Sequence, residues 1–347
     1  MTVQIASLET PTGLDVLTKG RRPLVKQNGD KLEMICNAQG FPVIGYRGDI
    51  AVHSLLRKNE WEELDRAVIA MVKLRLNGIQ DLRDNNLVQP LGGLGTMVSQ
   101  WNVGSEKVAA SVSMDGRTRS NRDRVDKKLY GVPVPIIHQE YEIGARELES
   151  SRRLDNAIDT TEAQESSAAV SEKLENILFN GDSSVVVGGS GIYGYTTLAA
   201  RTTATAAGFG GGDFGTISNI LPTFLGMLSA LSAKRYHGPF GCYISDTQYH
   251  QMLAFFTDGS GQTALDRVLK LPQIKFVKPS DHLADGATVM AQLTKNVVDL
   301  AVALDVTNRE WSSDDGMALY FKVLLAMVPR LKTDYAGNAG VAHATAC

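Results

Sequence analysis

The residues most suggestive of chemistry form a glycine pattern near the middle of the chain. Residues 189–194 fit the GxGxxG spacing, a candidate strand at 185–187 precedes them, and Asp213 follows 19 residues after the last glycine. In a dinucleotide site this pattern opens a helix inside a β-α-β unit. Here a long helical pattern precedes the strand, and residues 195–197 begin a stretch with weak periodicity. These neighbours favour a plain glycine connector over a cofactor site.

Side chains that bind metals or act as nucleophiles are scattered along the chain. The histidines show no HExxH spacing, no serine stands in a GxSxG elbow, and the cysteines show no CxxC spacing. We therefore expect surface or turn histidines and reduced cysteines, and we predict no catalytic residue, no cofactor and no metal site. The chain is not expected to be an enzyme. The residues concerned are His53, His138, His237, His250, His282 and His343, with Cys36, Cys242 and Cys347.

The densest run of charge lies between Asp115 and Lys128. It holds six basic and three acidic residues, which is a net charge of +3. A solvated loop is the simplest interpretation. A nucleic-acid contact is a second, although no aromatic residue is interleaved to stack on bases. A contact with an acidic surface on another subunit is a third.

Composition places the chain among ordinary globular proteins. Its 347 residues are 43% hydrophobic and 21% charged, with a formal net charge of -3, and they suffice for two lobes. This charge does not point to direct nucleic-acid binding, although a container could still enclose nucleic acid. We expect no signal peptide, because the first residues lack a basic region followed by an apolar run. The sequence contains no stretch of about 18 apolar residues, so no transmembrane helix is expected.

The first part of the chain divides into an irregular segment and a helix. Glycine and proline punctuate residues 1–57 without any long period, which predicts an extended arm with a few short strands. Apolar residues at helical spacing predict a helix over 61–76, closed by Gly78.

A polar, strand-rich excursion follows the helix. The pattern predicts strands at 97–101 and 108–112 with a turn at 102–105 between them, and an extended run at 129–137 after the charged stretch. A hairpin of this kind is not stable alone, so it needs a partner surface.

The rest of the chain mixes helices and strands, which predicts a second α+β lobe. Residues 161–180 predict one long helix, about 30 Å at helical rise, that ends at Gly181. Glycine-rich connectors with short strands follow at 188–212. The other predicted helices cover 144–150, 216–234 and 245–255, and the predicted strands cover 241–244, 274–277, 288–292, 297–306 and 318–328.

The order of these elements resembles the Hong Kong 97-type capsid fold of tailed-phage major capsid proteins and of encapsulin shells. Residues 134–143, leading into 146–148, look like the P-domain strand and short helix of encapsulins. Residues 162–181, which end in Ile-Leu-Phe-Asn-Gly, resemble the spine helix of that domain. The glycine turn at 191–194 and the strand at 297–302 resemble later parts of the fold.

The resemblance implies an α+β fold with an N-terminal arm, a hairpin called the E-loop, a P-domain and an A-domain. The implied divisions are an arm at 1–57, a helix and connector at 58–94, the E-loop at 95–134, the P-domain at 135–214 with its spine helix at 161–180, the A-domain at 215–315, and a C-terminal return strand and tail at 316–347.

This family further implies a structural subunit that assembles with copies of itself, as hexamers and pentamers, into an icosahedral virion shell. The shell encloses double-stranded DNA without specific recognition and is assembled in the host cytoplasm. Scaffolding, portal and cement proteins are candidate partners, and no membrane is involved.

Three alternatives remain open. The first is an encapsulin compartment around a cargo enzyme, although a longer arm and the lack of a readable cargo-docking signature favour a phage capsid. A nucleotide-dependent enzyme would depend on residues 189–194. A monomeric binding module is the third.

In this family the E-loop lies over the P-domain of an adjacent subunit. The helical block at 155–180 carries six acidic residues against Lys173, a net charge of -5, which complements the basic run. Covalent cross-linking between an E-loop lysine and a neighbour's asparagine occurs in some relatives. Lys107, Lys127 and Lys128 lie in the corresponding region here, but no acceptor is identifiable. The predicted inter-subunit contact comprises Arg117, Arg119, Arg122 and Arg124 of the E-loop and Glu162, Glu165 and Glu172 of the spine helix.

Overall fold

The computed structural model describes most of the chain. It gives four short strands between residues 22 and 45, then Leu56, then residues 58–347 apart from 111, 116, 118, 120–122, 155–158, 257–260 and 314–316. The predicted arm at 1–57 therefore lies almost entirely outside the described residues. So do Cys36, His53 and Arg122.

Helices and strands alternate through the described residues, which confirms the α+β class. The helices are α1 Lys58–Arg75, α2 Gly78–Asp84, α3 Ala145–Leu154, α4 Thr161–Asn180, α5 Ile217–Ala233, α6 Asp246–Met252 and α7 Ala264–Leu269. The strands are β1 Arg22–Pro23, β2 Val25–Asn28, β3 Lys31–Met34, β4 Ile44–Gly45, β5 Val88–Pro90, β6 Val98–Gly104, β7 Lys127–Pro133, β8 Ile137–Gly144, β9 Asp182–Val187, β10 Ser190–Ile192, β11 Thr202–Thr205, β12 Phe240–Ile244, β13 Ile274–Pro279, β14 Thr288–Gln292, β15 Val298–Ser312, β16 Ala318–Leu331 and β17 Val341–Thr345. Among the helices described, none combines the length and apolarity that crossing a bilayer requires.

The long helix α4 has the bounds that its sequence predicts. Its apolar stripe is buried, with each side chain at most 1% exposed. Gly181 ends the helix at φ +73°, a backbone conformation that favours glycine. A Cβ atom on Gly194 would lie 2.4 Å from the carbonyl oxygen of Phe179, so only glycine lets the following segment close on the helix end. The stripe consists of Ala163, Val170, Leu174, Ile177 and Leu178.

The chain divides into two compact units. The first comprises Met1–Val68, Glu140–Gln164 and Asn308–Lys322. The second comprises Ile69–Gln139, Glu165–Thr307 and Val323–Cys347.

Aromatic stacking organises the described part of the first unit. The Phe321 ring stacks on Tyr141 with centroids 4.9 Å apart, and Trp61 meets it edge-on at 6.0 Å. The Arg152 guanidinium donates two hydrogen bonds of 2.8 Å to the Glu60 carboxylate. A bidentate pair of this kind fixes the approach of α3 to α1 more tightly than a single bond would.

A five-stranded sheet forms the core of the second unit. Its strand order is β11-β17-β14-β12-β13, in which the two outer pairs are parallel and the inner pairs antiparallel. The helix α5 covers one face with its predicted apolar side. Ile220, Phe224, Met227 and Leu231 are fully buried in the same cluster as Cys242 of β12.

Long strands and two hairpins complete the architecture. A second sheet has the order β5-β15-β16-β8, in which β5 pairs in parallel with the first part of β15. β6 pairs with β7, and β9 with β10, as separate antiparallel hairpins. The excursion predicted from sequence is thus a real hairpin.

Three details of the predicted elements are wrong. The described residues of 108–112 form no strand. The predicted turn at 102–105 is also wrong, because β6 continues to Gly104 and pairs with β7 from Val98 opposite Pro133 to Gly104 opposite Lys127. Gly78 does not simply close α1; it is the first residue of the unpredicted helix α2. The strand β17 was also missed, although all but its last residue are buried.

A buried ion pair joins β15 to β16. The Arg330 guanidinium donates to both carboxylate oxygens of Asp299, at 2.7 and 2.6 Å, and both side chains are less than 10% exposed. The Lys332 ammonium donates to the same carboxylate at 2.7 Å. Removing one member of a buried pair is costly because it leaves the other charge buried without compensation.

We expect the substitution Asp299→Asn to lower the free energy of unfolding by about 3–5 kcal/mol, because Arg330 would stay charged and buried. Urea unfolding followed by circular dichroism measures the loss. The matched control is Asp305→Asn on the same strand, where the partner Arg83 and the carboxylate are both partly exposed. That control should cost less than about 1 kcal/mol. Equal losses in both variants would contradict the role given to the buried pair.

Candidate subunit interface

The hairpin of β6 and β7 is the feature best suited to contact another chain. Its ladder runs without interruption from Val98 opposite Pro133 to Gly104 opposite Lys127. Beyond Gly104 the described residues of 105–126 contain neither helix nor strand. Side chains extend the pairing a little further, because Asp126 donates its backbone N–H to the Ser105 hydroxyl at 3.0 Å. We call residues 105–126 the hairpin loop.

The base of the hairpin is anchored on the buried ion pair. Trp101 of β6 stacks on Tyr130 of β7 with centroids 6.3 Å apart, and the Arg330 guanidinium lies 5.6 Å from the Trp101 ring. Arg330 also donates to the Ser99 hydroxyl at 2.9 Å. One guanidinium therefore holds both Asp299 and the first strand of the hairpin. Sequence reasoning missed this anchor, because Arg330 lies 231 residues from Ser99 in the chain.

The hairpin exposes apolar side chains. Val112 and Met114 of the hairpin loop are fully exposed, and Met97, Val108 and Leu129 are each at least 60% exposed. Single exposed apolar residues are common on proteins, but several together on one segment mark a surface that another molecule covers. Burying these side chains against another molecule would therefore be favourable.

The hairpin loop also carries the predicted positive charge. Arg117, Arg119 and Arg124 are exposed, whereas Arg122 lies outside the described residues. On α4, the predicted partners Glu162, Glu165 and Glu172 are exposed. At 100° per residue, these three glutamates fall within about 80° of one another around the helix. The structure therefore places the predicted contact residues on two elements, and their meeting across subunits stays a prediction.

The glycine pattern at 189–194 is a hairpin turn and the segment after it. Gly188 and Gly189 connect β9 to β10 with φ of +59° and +78°, as a two-residue turn of the I′ kind requires. Residues 193–201 contain turns and no helix. A phosphate group would need a helix N-terminus there, so the connector interpretation holds.

A buried carboxyl group on α4 was not predicted. Glu175 is 2% exposed, and it accepts the backbone N–H groups of Gly78 at 2.5 Å and of Ile79 at 3.2 Å. Burial raises its pKa from 4.5 to about 7, against the opposing effect of these two hydrogen bonds. No sequence pattern marks this burial, because Glu175 and Ser171, four positions before it, are both polar and only the structure shows that they are buried.

An acidic cavity of about 240 Å³ lies beside Glu175. Among the described residues, no group of three or more histidine, cysteine or carboxylate side chains has the geometry to hold a metal ion. The cavity is lined by Asn77, Glu172, Glu175, Ser280, Asp281 and His282.

One histidine departs from the surface position predicted for it. His343 on β17 is only 8% exposed, and its Nδ1 accepts a hydrogen bond from the Arg201 Nε at 3.3 Å. Burial, and then the Arg201 charge, lower its pKa. The prediction failed because β17 was not recognised as a strand.

Comparison with known proteins places the chain in a family. The sequence model of the family of unknown function DUF6260 matches residues 50–344. The chain belongs to this family. A curated relative of this DUF6260 member is the diheme-cytochrome-encapsulin shell fusion protein of Kuenenia stuttgartiensis. It is 24% identical over 277 residues, which are 80% of this chain and 71% of that protein.

Similar solved structures are shell particles. The virus-like particle from Pyrococcus furiosus matches with a TM-score of 0.58 at 16% identity, covering 82% of this chain and 98% of that one. The capsid of Myoviridae phage XM1 matches with a TM-score of 0.60 at 12% identity, covering 78% and 92%. Such identities show the fold. The DUF6260 member has the Hong Kong 97-type capsid fold, as the sequence predicted.

The similarity to these solved structures bears on the fold more than on the other predictions. The similar solved structures are shell particles, and at these identities they show the fold of this chain, not its role. The boundaries of arm, E-loop, P-domain and A-domain stay predictions, and so do the contact residues.

We expect trypsin to cut this DUF6260 member after Arg117, Arg119 and Arg124 faster than after Lys128. The arginines are exposed on the hairpin loop, whereas Lys128 lies in β7 and its ammonium donates to the Tyr335 carbonyl oxygen at 3.3 Å. A time course of limited digestion read by peptide mass measures both rates. Similar rates at the two places would mean that the hairpin loop is held as firmly as the strand.

Proposed function

We propose that this chain is the major capsid protein of a tailed-phage type of virion. It assembles with copies of itself, as hexamers and pentamers, into a closed icosahedral shell around double-stranded DNA. Assembly takes place in the host cytoplasm, with scaffolding, portal and cement proteins as candidate partners. The observation that carries the proposal is the hairpin of β6 and β7, whose loop exposes Val112 and Met114 on a chain with a capsid fold.

The hairpin gives a physical reason for assembly. A single chain leaves the apolar side chains of the hairpin loop in water, and a neighbouring copy can cover them. In a closed symmetric shell every copy uses the same contact, so modest interactions add up to a stable container. The rigid base at Trp101 and Arg330 would present each loop in a defined direction.

Charge pairing would set the register of this contact. The exposed arginines of the hairpin loop meet Glu162, Glu165 and Glu172 on the spine helix α4 of the neighbour. Each exposed pair contributes only about 0.2–1 kcal/mol. Their main effect is to steer association and exclude wrong registers, and salt weakens it with a screening length of about 8 Å at physiological ionic strength.

Electron microscopy of the purified chain, alone or with a scaffolding protein, should reveal closed shells, tubes or capsomer rings. We expect assembly because neighbouring copies would cover the apolar side chains that the hairpin exposes. Size-exclusion chromatography with light scattering gives the mass independently. A monomer that persists at high concentration, with and without the partner proteins, overturns the proposal.

The charge contact is tested by reversal. Changing Arg117, Arg119, Arg122 and Arg124 to glutamate should slow or abolish assembly, and changing Glu162, Glu165 and Glu172 to lysine in the same chain should restore part of it. Light scattering follows the rate. The control reverses Arg66, Arg146, Arg153 and Arg309, which are exposed arginines away from the hairpin loop. That control has the same net charge, so equal slowing in both variants would attribute the effect to charge alone.

A second candidate function is an encapsulin compartment that encloses a cargo enzyme. The observation that favours it is the curated relative, an encapsulin shell fusion protein. The contents of purified particles separate the two functions. Nuclease-protected DNA supports the capsid, whereas a stoichiometric co-purifying protein within nucleic-acid-free particles supports the compartment.

A further inference from the structure

The buried Glu175 carboxyl links two helices of the second unit. Both of its oxygens accept backbone N–H groups from the first turn of α2, at Gly78 and Ile79. The fit is close, since a Cβ atom on Gly78 would lie 2.7 Å from the Leu178 side chain. The position of α2 against α4 thus depends on a carboxyl group that is almost completely removed from water.

The helix α2 is itself a junction. The Asp81 carboxylate accepts a hydrogen bond from the Tyr243 hydroxyl of β12 at 3.1 Å and pairs with the Lys278 ammonium of β13 at 2.5 Å. The Arg83 guanidinium donates to Asp305 of β15 at 2.9 Å. A movement of α2 would therefore loosen α4, the five-stranded sheet and β15 from one another.

The groups around Glu175 do not neutralise its charge. Asp81 on α2 is a second acid that raises its pKa further, whereas the Gly78 and Ile79 N–H groups and, less strongly, Lys278 on β13 lower it. On its own helix, Glu172 lines the acidic cavity, together with Asp281 and His282 after β13. The Tyr243 hydroxyl donates to Asp81. The Tyr195 hydroxyl is fully buried and has no hydrogen-bond partner in the described part of the chain.

We propose that Glu175 is a proton-controlled latch, which keeps α2 closed on α4 when the carboxyl is neutral and lets α2 open when it is ionised. A neutral carboxyl keeps the shorter bond from the Gly78 N–H through its carbonyl oxygen, gives up the longer bond from the Ile79 N–H and carries no buried charge. An ionised carboxylate is buried beside Asp81, and opening towards the acidic cavity hydrates it. This latch does not depend on the proposed shell function.

The sign of the pH effect follows from the raised pKa. Ordinary hydrated carboxyl groups of this kind have a pKa of 4.5, and that of closed Glu175 is about 7. The closed form gains its full advantage below pH 4.5 and loses it progressively as the pH rises to about 7, because opening then releases a proton. Between pH 5 and pH 8 the opening constant should rise by roughly fifty- to a hundredfold, since each unit of pKa difference is a factor of ten.

Hydrogen exchange with mass spectrometry on the full-length chain tests the latch. Exchange of peptides covering residues 76–87, corrected for intrinsic rates, gives the opening constant at pH 5, 6, 7 and 8. In the unmodified chain the constant should rise up to pH 7 and then level off. In Glu175→Gln, which cannot ionise, it should stay constant. Asp285→Asn removes an exposed carboxylate of the second unit that does not line the cavity, and it should keep the original profile.

Two results would overturn the proposal. One is a flat profile in the unmodified chain, which needs no variant and so decides the question even if Glu175→Gln fails to fold. The other is a Glu175→Gln profile that still rises with pH, or an Asp285→Asn profile that becomes flat, since either would assign the proton to a different group.

Discussion

The structure of the hairpin base depends on the contacts of the Arg330 guanidinium. This guanidinium satisfies the buried Asp299 carboxylate, donates to Ser99 and lies against Trp101, so that β15, β16 and β6 meet at one charge. A buried charge needs several partners in fixed directions, and each partner here belongs to an element that must keep its register. The base of the hairpin is consequently rigid without a large hydrophobic core of its own.

The hairpin combines this rigid base with a loop that has few internal contacts. The residues described between Gly104 and Lys127 form no regular structure and expose both apolar and basic side chains. Ordering such a segment within one chain would bury little surface, so its apolar side chains are better buried against a partner. In the proposed shell, that partner is a further copy of the chain. The shell proposal and the local physics of the hairpin therefore support each other.

Polar side chains also contact helix α2 of the second unit. The seven-residue helix α2 buries Ile79 and Leu82 completely. Glu175, Asp81 and Arg83 add polar contacts to its neighbours. Contacts of this kind respond to protons, whereas apolar packing does not. The almost complete burial of Glu175, which is 2% exposed, raises the pKa of its carboxyl group.

The sequence by itself determined the elements whose signals are local. Periodicity and a terminal glycine place α4 at Thr161–Asn180, and a short apolar run places β14 at Thr288–Gln292. The order of these elements was enough to indicate the capsid fold. Only the tertiary structure decided which strand pairs with β6, that Glu175 is buried, and that Arg330 reaches Trp101. The reason is that these contacts join residues far apart in the chain. A local pattern of residue types does not show which distant segments meet in the folded protein.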